Sequence, residues 1–247
     1  MHTDQRSRPT FEITHDTDPA QHLIAGFSTF GLAGLTAIDY LTTELALEET
    51  GYITVDELPA ITPFADGTPR HHTRLYAHGD HGVTTLLNEL FVPPWAADAF
   101  SEAILTWADE HGVEEITILS GVPVPHGPED HRAFYVATAD YQADRLAEGD
   151  LPPMGAGFLD GVNASLVGQG LDTALKVGVI ITPVHAQAPD GEAALRLVEA
   201  VDDLYALDVD TAKLAEFAAE VEQYYAELAQ RFEQLADEER APDQMFM

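Results

Sequence analysis

Short apolar runs set between segments of helical period are the feature that most limits what this chain can fold into. HLIAGF (His22–Phe27), EEITILSG (Glu114–Gly121), AFYVATA (Ala133–Ala139) and VGVIIT (Val177–Thr182) are largely apolar at successive positions, not only at every second one. A strand apolar on both sides must be covered on both sides. Helical segments supply the cover. Leu35, Ile38, Leu41 and Leu45 recur at helical spacing over about Leu35–Glu48. Pro93 and Pro94 introduce a helix over about Trp95–His111, with Gly112 placed as its C-cap. A glycine-interrupted helical stretch covers Gly161–Lys176. The alternation predicts a three-layer α/β/α fold with a mostly parallel central sheet.

The rest of the chain divides around this frame. Residues 1–18 read as a polar arm, and 19–240 as one α/β domain, near the size limit of a single core. Asp56–His72, with three prolines and no period, reads as a loop. Arg74–His78 and Val83–Leu90 read as strands joined by the turn GDHG. Two helices close the domain. The first places Leu195, Val198, Val201 and Leu204 or Tyr205 on one face. The second, about Thr211–Asp237, carries Leu214, Ala218, Val221, Tyr225, Leu228, Phe232 and Leu235 as a heptad stripe. Its flanks, Glu216, Glu220, Glu222, Glu227 and Glu233, offer no opposite charges for an interhelical seam, so packing on its own domain is the plainer reading. Residues 241–247 read as a flexible tail.

Charge sets the expected solvent. There are 43 Asp and Glu against 11 Lys and Arg, a formal net charge of -32. Lys176 and Lys213 are the only lysines. Such self-repulsion opposes a compact state in dilute buffer, whereas molar salt shortens the Debye length to about 3 Å. The composition therefore points to a halophilic protein of a high-salt cytoplasm. The rival reading is a DNA mimic or an acidic binding face, but the acidic residues form no block. No basic cluster suits nucleic acid, and no apolar run reaches a membrane span. Without cysteine, neither a disulfide nor a thiolate metal site is possible.

Candidate chemistry is sparse. The turn GFSTFGLAG, with Gly26, Ser28, Thr29 and Gly31, stands where backbone N–H groups at a helix start attract anions. It matches neither the P-loop nor the dinucleotide fingerprint, so a tight strand-to-helix turn is the plainer reading. Ser28 and Thr29 remain candidates for helix caps or for anion contacts. Ser120 and Gly121 end a strong strand, at the edge where open α/β sheets bind ligands. Ile-Leu-Ser-Gly-Val is not a nucleophile elbow, and no base is assignable. His71, His72, His78 and His81 with Asp80, and His126 with His131, have the composition of metal ligands but no metal-site spacing; solvated loops fit them better. No catalytic residue, cofactor or metal is expected.

HLIAGFSTFGLAGLTAIDYL (His22–Leu41), EEITILSGVPVP (Glu114–Pro125), GAGFLDGVNASLVGQGL (Gly155–Leu171) and LRLVEAVDDLYALDVDTAKL (Leu195–Leu214) stand in an order that resembles the proteasome assembly chaperone 2 family over about residues 20–235. The resemblance implies a phosphorylase/hydrolase-like α/β/α fold, homo-oligomerisation in archaea, here as a trimer or tetramer, and binding to proteasome α-type subunits. It makes a non-catalytic chaperone-like protein the first expectation. A phosphorylase- or hydrolase-type enzyme acting on a small molecule at the carboxyl edge of the sheet is the alternative. The terminal Met245-Phe246-Met247 resembles the hydrophobic–Tyr–any ending of several proteasome-binding proteins, with Phe246 in the tyrosine's place.

Overall fold

The computed structural model describes residues 8–79, 81–124, 127, 130–185 and 189–219. Among the described residues, ten strands and five α-helices follow one another ahead of a closing helical segment at 212–219. Eight strands form one sheet, in the order β1 (Phe11–His15), β3 (Glu48–Val55), β6 (Thr73–Ala77), β7 (Val83–Asn88), β2 (His22–Phe27), β8 (Glu115–Val122), β10 (Lys176–Pro183) and β9 (Phe134–Ala137). The central strands β7, β2, β8 and β10 run parallel, and the outer strands join them antiparallel. The register of β8 on β10 runs from Glu115↔Lys176 to Val122↔Pro183. The expected α/β/α class with a mostly parallel sheet holds, with antiparallel flanks.

The apolar runs are buried on both faces for the reason their sequence implies. Leu23, Ala25, Ile116, Ile118, Val177 and Val179 meet α2 (Pro94–Glu110) and α4 (Gly161–Gly170) through Phe100, Ile104 and Leu166. Ile24, Leu119 and Ile180 point the other way, to α1 (Ala33–Glu44) and α5 (Gly191–Tyr205) through Ile38, Leu41, Leu197 and Val198. The first helix lies very close to the sheet. A Cβ at Gly34 would stand 1.9 Å from the Leu119 carbonyl oxygen, and one at Gly26 would stand 2.3 Å from that of Gly34. Only glycine lets backbone meet backbone at that range. These glycines serve close packing, as the turn reading predicts.

Several expectations need correction. The polar arm contains β1, whose Phe11 is buried against Phe100 with ring centroids 4.8 Å apart. Phe11 and Ile13 face inward and Glu12 and Thr14 outward, the alternation of an edge strand with one covered face, but five residues are a short run inside a polar segment. The first helix stops at Glu44, and Glu48–Val55 is a strand. Ala46 takes the left-handed conformation (φ 49°) that ends the helix, with no glycine to announce it. In β3 the inward positions are Gly51 and Ile53, and glycine shows no apolar signal. The proline-rich loop holds a small hairpin, β4 (Phe64–Ala65) with β5 (Thr68–Pro69). Ala139–Arg145 is a helix, α3, and α4 ends at Gly170, short of Lys176.

The closing helix is described only over 212–219, where Leu214 and Ala218 are buried against the domain. Ala218 packs on Gly191, where a Cβ would lie 3.1 Å from its Cα. The remainder of the heptad stripe lies outside the described residues.

Two polar networks are built into this frame. Glu115, buried at the start of β8, accepts from Arg145 Nε (2.9 Å) and Tyr205 Oη (2.6 Å). Arg145 also donates to the Leu204 carbonyl and stacks over the Tyr205 ring at 4.2 Å. This ties α3 to α5 and to the sheet. Beside it, Tyr141 bonds Thr117 at 2.7 Å, and burial pushes its hydroxyl up to about 12. On the far flank, Arg74 is 1% exposed. It donates from Nη1 to Glu89 Oε2 (2.7 Å) and to the His71 carbonyl, and from Nε to Tyr76 Oη (2.6 Å), so the buried charge is paired with a carboxylate and held by hydrogen bonds.

Candidate functional site

The carboxyl ends of the parallel strands open into a cavity of about 1040 Å³. Phe27 ends β2, Asn88 ends β7, Ser120 to Val122 end β8 and Ile181 lies near the end of β10; all line it. The 3-10 turn Phe30–Leu32 ahead of α1 forms one wall. Pro94 at the start of α2, the loop Met154–Asp160 and the first turn of α4 complete it. This is the place open α/β sheets keep for ligands, because the strand ends and helix starts leave backbone groups without partners there.

The walls are mostly apolar. Phe30, Leu32, Phe91 and Phe158 line the cavity yet remain exposed, and Phe158 is 103% exposed. Asp160 is the one ionisable side chain among the described lining residues.

The sequence-predicted residues divide by role. Ser28, Thr29, Gly31, Ser120 and Gly121 line the cavity, while Gly26 lies under α1 and does not. Neither Ser28 nor Thr29 caps a helix, since the 3-10 turn and α1 have no side-chain cap. Ser28 Oγ instead contacts the carbonyls of Asn88 (3.2 Å) and Glu89 (3.0 Å), which fastens the β2–α1 turn to the end of β7. Thr29 Oγ1 is buried with no hydrogen-bond partner. Gly31 takes a left-handed φ of 64° against Val184, and Gly121 packs on Val184 and on the Phe30 carbonyl.

Ser120 is 4% exposed. Its Oγ accepts from Asn163 Nδ2 at 2.8 Å and reaches the Gly121 carbonyl at 3.5 Å. Its partner is thus an amide, which cannot act as the base a serine nucleophile needs. Asn163 is the residue that sequence reasoning missed. It stands in the first turn of α4, inside the GVNASL segment, where a glycine-rich context draws attention to the loop and not to the asparagine. Its Oδ1 is buried and unpartnered.

The histidines do not assemble. His71 stacks on Tyr52 at 3.7 Å and His72 bonds Thr73 at 2.8 Å, both ahead of β6. The rings of His78 and His81 are 5.8 Å apart beyond its other end. His131 approaches Glu192 at 3.9 Å. Asp80 and His126 lie outside the described residues, as do Met245, Phe246 and Met247. Among the described residues, no three histidine or acidic side chains are grouped to hold a metal ion, and no helix is long and apolar enough to cross a membrane.

A family model matches the sequence, and several solved structures share the fold. The model of the PAC2 family matches residues 23–229. Pyrococcus furiosus PbaA, an archaeal homolog of proteasome-assembly chaperone, superposes with a TM-score of 0.82 at 19% identity, covering 96% of this chain and 100% of that one. Pyrococcus furiosus PbaB, an archaeal proteasome activator, gives 0.73 at 18% identity over 90% of this chain and 99% of that one. A Thermoplasma acidophilum protein of unknown function gives 0.73 at 23% identity, with 90% of each chain covered. No curated protein gives a match.

Proposed function

This chain belongs to the PAC2 family, and on that premise we propose that it is a non-catalytic, proteasome assembly chaperone-like protein that binds proteasome α-type subunits as a homo-oligomer. The observation that carries the reading is the family match along residues 23–229, which takes in every strand of the sheet except β1 and the first residue of β2. Chaperone homologues share the fold at nearly full length on both sides. Serine chemistry finds no support in the site, because the Ser120 hydroxyl is held by Asn163 and not by a base. That weighs against a phosphorylase- or hydrolase-type enzyme.

The contacts proposed for subunit binding are Met245, Phe246 and Met247. A short tail binds weakly on its own, and several tails on one trimer or tetramer bind together by avidity. Phenylalanine in the tyrosine's place keeps the ring and gives up one hydroxyl hydrogen bond, worth about 0.5–1.5 kcal/mol where it is made. The host is proposed to be an archaeon with a high-salt cytoplasm, on the strength of the -32 charge.

The deciding experiment deletes Met245–Met247 and measures association with the cognate 20S α-subunits by interferometry at molar KCl. Lost binding supports the tail; unchanged binding removes it from the mechanism. Light scattering on the same samples tests the oligomer, and a mass of 26.8 kDa at every concentration refutes it.

A further inference from the structure

We propose that the cavity at the carboxyl edge is a binding site for a small uncharged molecule that presents an amide edge, one N–H beside one C=O, on an apolar body. The inference goes beyond the chaperone reading and does not depend on which subunit the protein binds.

Three observations define the ligand. The first is the acceptor. Asn163 is 7% exposed and lines the cavity, with Nδ2 committed to Ser120 and Oδ1 unpartnered. Leaving a buried carbonyl oxygen unsatisfied is unfavourable, so the site calls for a donor. Thr29 Oγ1, buried and unpartnered in a residue that lines the same cavity, asks for a second polar contact.

The second is the donors. The first turn of α4 faces the same space through Gly161, Val162 and Asn163, and no side chain caps that helix. Free N–H groups at a helix start offer hydrogen bonds to an oxygen. Donors and an unpartnered acceptor therefore stand within one helical turn, and an amide edge answers both.

The third is the body. Phe30, Leu32, Phe91 and Phe158 ring the mouth while exposed, an apolar surface that an apolar or aromatic body would cover. A cavity of about 1040 Å³ is at the upper end of the usual size range for small-molecule sites. Neither a carboxylate nor an ammonium fits as well. An anion brings no proton to Asn163 Oδ1 and would meet the Asp160 carboxylate; an ammonium would be drawn to Asp160 but would face the uncapped N–H groups of α4, which the oxygen of an uncharged amide can use.

The test uses the full chain in molar KCl with benzamide, toluene and benzoate as probes, followed by NMR shifts of the Asn163 side-chain amide and of methyl groups lining the cavity. Benzamide is expected to bind more tightly than toluene by about two- to tenfold for each hydrogen bond gained, and more tightly than benzoate. Asn163→Leu should cut benzamide's advantage over toluene by about two- to tenfold, the share of one hydrogen bond, without weakening toluene. Thr29→Val, which keeps the side-chain shape, gives a second reading where Asn163→Leu perturbs folding; it should weaken benzamide alone. Equal binding of benzamide and toluene, unaffected by either substitution, would make the cavity an apolar seat for a protein segment and overturn the proposal. Tighter binding of benzoate would make it an anion site and overturn it equally.

Discussion

Two glycines with opposite surroundings show what a single side chain costs here. Gly34 has no room: an added methyl group meets the Leu119 carbonyl at 1.9 Å, and backbone cannot swing aside as a side-chain end can. Gly34→Ala is expected to lower stability by about 1–3 kcal/mol or more through overpacking. Gly168, on the exposed face of α4, has nothing within 4 Å of an added Cβ. There, alanine removes backbone freedom from the unfolded chain, and Gly168→Ala is expected to raise stability by about 0.5–1 kcal/mol. Denaturant unfolding of the two variants in molar KCl should give opposite signs; the same sign for both would contradict the packing described for α1. A third residue gives a spectroscopic reading. Burial holds Tyr141 near 12 and also pushes Tyr205 well above the ordinary value, so ultraviolet titration should find at least two tyrosines still protonated after exposed ones have ionised.

At the scale of an element, α5 depends on its first turn. Asp190 Oδ1 accepts from the Ala193 N–H at 2.9 Å, and Oδ2 accepts from the His185 backbone N–H at 2.8 Å. Burial alone would raise this carboxyl. The two backbone donors and the His185 ring outweigh it and hold the group below the usual 3.8. A depressed carboxyl stabilises the fold above the ordinary aspartate range, and that stabilisation is lost as pH falls through the folded value. Asp190→Ala is therefore expected to cost about 0.5–2 kcal/mol at neutral pH, and the gap from the parent protein should close as pH drops below about 3.9. Urea unfolding at pH 7 and near pH 3 checks both the size and the sign. The same element shows how a helix face shifts when small residues count. The expected stripe of Leu195, Val198, Val201 and Leu204 or Tyr205 is centred instead on Ala194, Leu197, Val198 and Val201, because alanines let α5 lie close to α1.

For the whole molecule, charge dominates. Glu115, Glu89 and Glu102 are paired with arginines, and Asp144 and Glu44 with the two lysines. With 11 cations for 43 acids, most carboxylates have no basic partner to meet. Surface ion pairs are worth little individually, so the long-range repulsion is the term that varies with solvent. The thermal midpoint is expected to rise from about 0.1 M to about 1 M KCl, as the Debye length shrinks from about 10 to about 3 Å. A midpoint that stays fixed, or falls as salt rises, would contradict a halophilic protein.

The sequence by itself determined the layers. His22–Phe27, Glu114–Gly121 and Val177–Thr182 are apolar on both sides, and a strand of that kind has no stable place except between two helical layers. It also located the carboxyl edge, since Ser28 and Thr29 follow β2 and Ser120 stands near the end of β8, two of the strands whose ends form the cavity. Tertiary structure decided what local pattern does not encode. Strands β1 and β3 are settled by pairing, because the alternation in β1 spans only five residues and an inward position of β3 is a glycine. The site was completed the same way. Asn163 is 43 residues from Ser120 along the chain and meets it only because α4 packs against β10, the sheet neighbour of β8. An asparagine reads alike in any loop, and it becomes a buried, unpartnered acceptor only when distant elements close around it.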